Sequence, residues 1–355
     1  MVEGKKMRVA VLMGGLSSER NVSLSTGRQV LEGLDHNKYE AFGVDAALMS
    51  GSCRSCQPGA GDEVEVVAAA CDELTRSGRL VSFDQITSCD SSFRPDVVFV
   101  ALHGRYGEDG TIQGVLELLG IPYTGSGVLA SALAMDKVMA KKVMAADGIP
   151  VPASVDIKAH PGAGSWDSNE VNQVVAALGY PVVVKPSRQG STIGISRVDG
   201  PDELGYAISK AAEFDSLIVI ERFIRGRELT VSVLGNDDPF ALPVIEIVPA
   251  KGFYDYRAKY TPGATDEIVP APIGEDATKY AQNLAIAAHK SLGCRGVSRV
   301  DIIQSEEGMF VLEVNTVPGM TPTSLLPRAA DAAGISFSKL LDMLIDYALK
   351  EGMGR

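Results

Sequence analysis

Hydrophobic residues recur along this chain in short blocks with two different spacings. Arg8–Met13 (RVAVLM) is an almost unbroken apolar run that stops at Gly14-Gly15, and residues 23–34 carry a helical spacing. A second run, Val97–Leu102 (VVFVAL), ends in His103-Gly104 and leads into a helical pattern from Thr111 to Leu119. Apolar runs closed by glycine turns and alternating with helices predict strands buried on both faces, hence an open, mostly parallel α/β sheet. Residues 131–147 read as one helix containing Asp136-Lys137, stopped by Gly148-Ile149-Pro150. The pattern then changes to strand pairs. Pro181–Lys185 and Gly194–Val198 flank a glycine- and hydroxyl-rich loop, Pro186–Thr192, and Leu217–Glu221 and Leu229–Leu234 follow in an α+β arrangement.

Alternation is cleanest near the C-terminus. Val297–Ile303 (VSRVDII) and Phe310–Asn315 (FVLEVN) are separated by Ser305-Glu306-Glu307-Gly308, a turn composition, so they predict a hairpin. The two-residue period puts Arg299 and Asp301 on one face of the first strand, and Glu313 and Asn315 on one face of the second. In register, one surface then presents two carboxylates, an amide oxygen and a guanidinium. Such oxygens suit a hard cation such as Mg2+, which leaves coordination positions for phosphate. An arginine beside it suits charge developing on phosphoryl or acyl oxygens. An ordinary solvent-facing strand side is the alternative.

The chain's 355 residues allow two or three domains, and its net charge of −12 excludes a nucleic-acid or anionic-membrane surface. Any phosphate ligand must therefore be gripped by local cations. No apolar run is long enough for a membrane span. Lys5, Lys6 and Arg8 lead into a first strand rather than a signal peptide, so a cytoplasmic setting is expected. Of five cysteines, Cys53 and Cys56 form a CxxC, with Cys71 and Cys89 further on; without a second close pair, free thiols are expected rather than zinc.

Further candidates lie at turns. Lys185 ends a Val-Val-Val strand and points at the glycine loop, where backbone N–H groups could cradle phosphates around its charge; a hairpin with a solvated lysine is the alternative. The Walker sequence GxxxxGK[ST] is absent. Lys137 follows Asp136 in a helix, where an exposed lysine is commonplace. Glu19 sits where a glycine loop enters a helix, a place the helix dipole alone would favour for an acid. His103 occupies a strand-end loop. Gly125–Ala130 fits GxGxxA but lacks the βαβ context of a dinucleotide site. Residues 252–272, with Tyr254, Tyr256, Tyr260 and Lys259, are too long and aromatic for a connector and read as a lid.

Together these blocks resemble one family, the D-alanine–D-alanine ligases of the ATP-grasp superfamily. The matching stretches are GGLSSERNVSLSTG (14–27), HGRYGEDGTIQG (103–114), YTGSGVLASALAMDK (123–137), KPSRQGSTIG (185–194), FYDYRAKY (253–260), Ser298–Asp301 and EVNTVPGMT (313–321). They occur in the family's order from Arg8 to about Tyr347, and the GxGxxA belongs to that pattern without binding NAD. Residues 46–95 and 154–176 match poorly, and neither carries a family motif.

The resemblance implies an N-terminal α/β substrate-binding domain (1–130), a central ATP-grasp subdomain (131–229) and a C-terminal one (230–355) carrying the metal site and the lid. It implies ATP-dependent joining of two D-alanines through an acyl phosphate and a tetrahedral intermediate, for peptidoglycan precursor synthesis, in a homodimer. Carried over, Asp301, Glu313 and Asn315 would hold two Mg2+ ions, for which Mn2+ could substitute. Arg299 and the Gly319 N–H would stabilise the oxyanion, and Arg299 with Ser324 would bind the second substrate's carboxylate. Lys137, Lys185 and Lys259 would contact phosphates; Glu221 and the Phe223–Ile224 backbone would hold adenine, with Glu228 on ribose. Glu19 would grip the first D-alanine's ammonium near His103, and Ser191 and Tyr260 would link Glu19 to the lid. A D-alanine–D-lactate ligase is the close alternative, although such relatives generally lack tyrosine at position 260. A non-catalytic module on the same fold would have lost metal ligands or lysines, and none is lost here.

Overall fold

The computed structural model describes residues 5–47, 80–87, 94–159, 169–190, 193–249 and 265–352. Cys53, Cys56, Cys71 and Cys89 lie outside them; Cys294 is a buried free thiol, its pKa pushed up to about 12 by burial.

The N-terminal sheet contains β1 (Met7–Met13), β2 (Tyr39–Asp45), β3 (Leu80–Ser82) and β4 (Val97–Val100) in the order β3-β2-β1-β4, all parallel. Its apolar runs are explained by burial on both faces. Val9, Val11 and Met13 enter one core, while Ala10 and Leu12 enter another with Phe42, Val44, Ile112 and Leu116. Helix α1 (Arg20–Gly33) covers the first of these faces, and α2 (Phe83–Thr87) and α3 (Thr111–Leu118) supply the second.

The predicted single helix at 131–147 is two helices, α4 (Val128–Met135) and α5 (Lys137–Ala146). The break is at Asp136, whose backbone is extended (φ −86°, ψ 98°) and whose carboxylate accepts from the Met139 N–H to start a new helix. The apolar spacing runs through the break, which is why the pattern hides it. Next come β5 (Ser154–Lys158), α6 (Asn169–Leu178), β6 (Val182–Pro186), β7 (Ser196–Val198), α7 (Pro201–Ala212) and β8 (Leu217–Arg222). Their four strands form an antiparallel sheet in the order β5-β8-β6-β7, backed by α7.

The third sheet is antiparallel and six-stranded, β12-β11-β9-β13-β14 with β10 on β9. Its strands are β9 (Arg227–Gly235), β10 (Phe240–Ala241), β11 (Ile245–Pro249), β12 (Thr265–Ile268), β13 (Gly296–Ser305) and β14 (Gly308–Asn315). The predicted hairpin is β13–β14, with Arg299 opposite Asn315 and Asp301 opposite Glu313. The far end of the predicted lid differs from expectation: residues 265–268 are β12, and Ala271 is buried against α8 (Glu275–Ser291).

The chain then returns to its start. Helices α9 (Leu325–Ala332) and α10 (Phe337–Gly352) bury Leu326, Leu340, Leu341 and Leu344 in the core that holds Val9, Val11 and Phe99. Asp342 accepts from the Tyr39 hydroxyl (2.9 Å) and Lys38 Nζ (2.7 Å) at the same seam. Helices α1 and α10 approach so closely that a Cβ at Gly33 would stand 2.5 Å from Phe337. Fully buried Leu341 therefore joins the two ends of the chain. Leu341→Ala should cost about 2–5 kcal/mol, read as a lowered urea midpoint; an unchanged midpoint would show that α10 is not part of the N-terminal core.

Candidate active site

The site is assembled from three places in the chain. At the first, the turn after β1 is held from beneath by the buried Asp45, which takes a bidentate pair from Arg20 (2.9 and 2.6 Å). Gly14 has φ +78°, and a Cβ there would collide with Asp45, so only glycine fits. This loop delivers Glu19 to the start of α1. Cβ atoms built on Gly104 and Gly190 would stand 2.6 and 3.0 Å from Glu19 Oε2. The carboxylate therefore lies between the His103-Gly104 turn and the glycine loop of the central sheet. His103 is buried, its Nε2 3.0 Å from Thr26 Oγ1, and its carbonyl accepts from Ser17 Oγ at 2.7 Å.

The second place is the face shared by α5, β6 and β8. Asp136 caps α5 and also accepts from Ser187 Oγ (2.8 Å), while the Lys137 N–H donates to the Ser187 carbonyl (3.1 Å). The helix is thereby pinned to the glycine loop. Lys137 Nζ donates to the Gln189 carbonyl (2.8 Å) and pairs with Glu313 at 3.2 Å. Lys185, which the sequence also allowed as a solvated lysine, is buried and paired with Glu221. Glu221 is paired on its other oxygen with Lys141 at 2.8 Å. Burial alone would raise the Glu221 carboxyl, but the Lys141 and Lys185 ammoniums outweigh it and hold it below the ordinary range. Phe223 N donates to the Pro181 carbonyl (3.0 Å), which anchors the Phe223-Ile224 segment beside Glu221.

The third place is the β9–β13–β14 surface. Arg299 makes a bidentate pair with Asp301 (2.9 and 2.8 Å), and Thr230 Oγ1 donates to Asp301 Oδ1 at 2.6 Å. Asn315 Oδ1 accepts from the Val317 N–H (3.0 Å), which shapes the turn into Pro318-Gly319. A Cβ at Gly319 would stand 2.7 Å from Ser324 Oγ, so the Gly319 backbone and the Ser324 hydroxyl adjoin at the start of α9. Burial, then the charges of Asp301 and Glu313, push Glu228 up to about 7 against the pull of Lys185. Several acid oxygens thus crowd one surface, which is the donor chemistry of a hard divalent cation. Among the described residues no cluster of three or more His, Cys, Asp or Glu is arranged as a metal cage; the set here is two acids and an amide.

The predicted residues Glu19, His103, Lys137, Lys185, Glu221, Glu228, Arg299, Asp301, Glu313, Asn315, Gly319 and Ser324 are therefore placed on these three facing surfaces. Ser191, Lys259 and Tyr260 lie outside the described residues. Sequence reasoning missed Lys141, Thr230 and Ser187. Lys141 had a signal, since it follows Lys137 by one helical turn and shares its face. The other two are contacts between distant strands and loops that no spacing announces. Gly125, the first glycine of the GxGxxA, packs near the Thr316 carbonyl instead of opening a dinucleotide site.

A parallel α/β sheet followed by two antiparallel sheets, with buried lysines facing an acidic strand pair, is the architecture of an ATP-grasp enzyme. The profile described as "D-ala D-ala ligase N-terminus" matches residues 8–126, and that of "D-ala D-ala ligase C-terminus" matches residues 143–346. The D-alanine–D-alanine ligase of Pelotomaculum thermopropionicum is 45% identical over 345 residues, 97% of each chain. The D-alanine–D-alanine ligase of Bacillus anthracis, solved with ATP, superposes with a TM-score of 0.73 at 34% identity, over 98% of this chain and 99% of that one. The VanG D-Ala:D-Ser ligase of Enterococcus faecalis gives 0.76 at 35% identity, over 97% and 100%. The chain belongs to the D-alanine–D-alanine ligase family.

An acid whose folded pKa lies above its unfolded value costs stability as the pH rises from that value through the folded one. For Glu228 this window runs from 4.5 to about 7. Glu228→Gln should therefore stabilise the ligand-free protein at about pH 8 by up to about 3 kcal/mol and give no gain near pH 4. Thermal melts at the two pH values check this; an equal shift at both would mean that the carboxyl is not perturbed.

Proposed function

We propose that this enzyme joins two D-alanines into D-alanyl-D-alanine for peptidoglycan precursor synthesis, with cleavage of ATP to ADP and phosphate. One observation carries the reading. Glu19 reaches the Gly190 loop, whose Gln189 carbonyl holds Lys137 against Glu313, so an amino-acid site and a phosphate site share one wall. On this reading the first D-alanine's ammonium sits on Glu19 near His103, and its carboxylate attacks the γ-phosphate to give an acyl phosphate. The second D-alanine's amine then attacks the acyl carbon, and phosphate leaves the tetrahedral intermediate.

Phosphoryl transfer needs positioning and charge neutralisation more than a covalent catalyst. Lys137, Lys185 and Lys259 supply positive charge to the phosphates. Glu221 and the Phe223-Ile224 backbone take adenine, and Glu228 takes ribose. Asp301, Glu313 and Asn315 would hold the Mg2+ ions, which supply charge neutralisation at the phosphates when bound. Arg299 and the Gly319 N–H face the acyl oxygen, and Arg299 with Ser324 takes the second substrate's carboxylate. On the family resemblance, Ser191 and Tyr260 would link Glu19 to the lid expected within 252–272, and such a lid would exclude the water that hydrolyses acyl phosphates. The division at 130 and 229, a two-chain assembly and a cytoplasmic setting are parts of the same reading. Among the described residues no helix is long and apolar enough to cross a membrane.

Phosphate release from ATP should require D-alanine and a divalent cation and ignore L-alanine, and mass analysis with D-lactate or D-serine supplied as well should still find the dipeptide of D-alanine. Folded protein without that activity, or a D-lactate ester as main product near neutral pH, would sink the proposal. Glu313→Gln should lower turnover by about 100-fold or more and weaken Mn2+ binding in the same protein; wild-type values for both would remove Glu313 from the metal set.

A further inference from the structure

Two lysines and one carboxylate meet in the interior between α5, β6 and β8. Lys141, Glu221 and Lys185 are all more than nine-tenths buried. Two buried ammoniums share this one directly paired carboxylate, with the charges of Glu313 and Glu228 as their other acidic neighbours, and a buried cation that loses its paired anion is costly. The two lysines are not equivalent. Lys185 stands at the end of β6 beside the glycine loop, where a phosphate would draw it away from Glu221. Lys141 is on α5, one turn beyond Lys137, with Glu221 at 2.8 Å; burial, then the neighbouring Lys185, pull its pKa below the ordinary lysine value against the attraction of Glu221. Glu221 Oε2 lies 2.8 Å from Lys141 Nζ, and a carboxylate oxygen has lone pairs for more than one donor, so it can accept again.

We infer that Lys141 is a positioning residue, the resident counter-ion that keeps Glu221 ionised and acceptor-only when Lys185 turns to the phosphates, and that it thereby sets the preference for a 6-amino purine. The inference rests on the reading of Glu221 as the adenine contact. An ionised carboxylate accepts from the 6-amino group of ATP and repels the 6-oxo group of ITP. Without Lys141, Glu221 either retains Lys185, which weakens the grip on phosphate, or takes up a proton and can then donate to a 6-oxo group. A cavity of ≈ 270 Å³ beside Lys141, lined by Val138, Ala145, Pro152 and Asp156, leaves room for a larger cation.

The test is phosphate release at saturating D-alanine with ATP or ITP as the varied nucleotide. Lys141→Met should lower the ATP-over-ITP ratio of kcat/KM by about tenfold or more, chiefly through KM for ATP, while Lys141→Arg should keep the wild-type ratio. If Lys141→Met does not fold, Lys141→Gln, which keeps a donor without the charge, should show the same loss of ratio. Equal losses for ATP and ITP in either folded variant would reduce Lys141 to a structural residue and overturn the inference. Glu221→Gln separates the two layers. If it retains the ATP preference, the adenine reading of Glu221 fails; if it loses the preference and Lys141→Met or Lys141→Gln does not, only the role of Lys141 fails.

Discussion

Two carboxylates standing opposite each other on neighbouring antiparallel strands repel, and the surrounding structure is organised about that repulsion. Asp301 and Glu313 are such a pair. Each is answered from a different part of the chain: Asp301 by Arg299 and Thr230 within the same sheet, Glu313 by Lys137 at the start of α5. Ala140 and Met144 of α5 share the apolar core of the third sheet with Val231, Val300 and Val311, and the Lys137 contact adds an ion pair at the edge of that packing. Glu228 shows the neutralisation to be incomplete, because its carboxyl is raised in part by those same two charges. On the proposed function, a cation and a polyphosphate bound here together would each offset the charge of the other.

The same logic runs through α5. Its first turn is fixed to the glycine loop by Asp136 and Ser187, and successive turns send Lys137 to Glu313 and Lys141 to Glu221. One helix thus sets the spacing between the acidic strands and the buried Glu221. Rigid supports of this sort matter where catalysis depends on holding reactants rather than on a covalent step. The N-terminal sheet is tied to this frame by α9 and α10, whose leucines fill the core under β1 and β4.

Much of this was legible in the residues. The parallel sheet showed as apolar runs ending in glycine, and the β13–β14 pairing showed as alternation around a turn. The face shared by Arg299, Asp301, Glu313 and Asn315 followed from the two-residue period, and the observed register confirms it. The division between α4 and α5 was hidden because Asp136 interrupts the backbone without interrupting the apolar spacing. The β12 strand falls within the predicted lid because four residues of mixed polarity at a sheet edge carry no periodic signal.

The sequence by itself determined the class of chemistry: which residues are acids, which are cations, and on which face of a strand or side of a turn each stands. Those are local properties, set by backbone period and glycine placement. Only the tertiary structure decided the partners. That Lys185 is buried on Glu221 rather than solvated, that Lys141 joins it, and that Glu19 meets the Gly190 loop depend on segments brought together from distant parts of the chain. Such pairings are set by how three sheets and a returning C-terminal helix close around shared cores, and no local spacing encodes them.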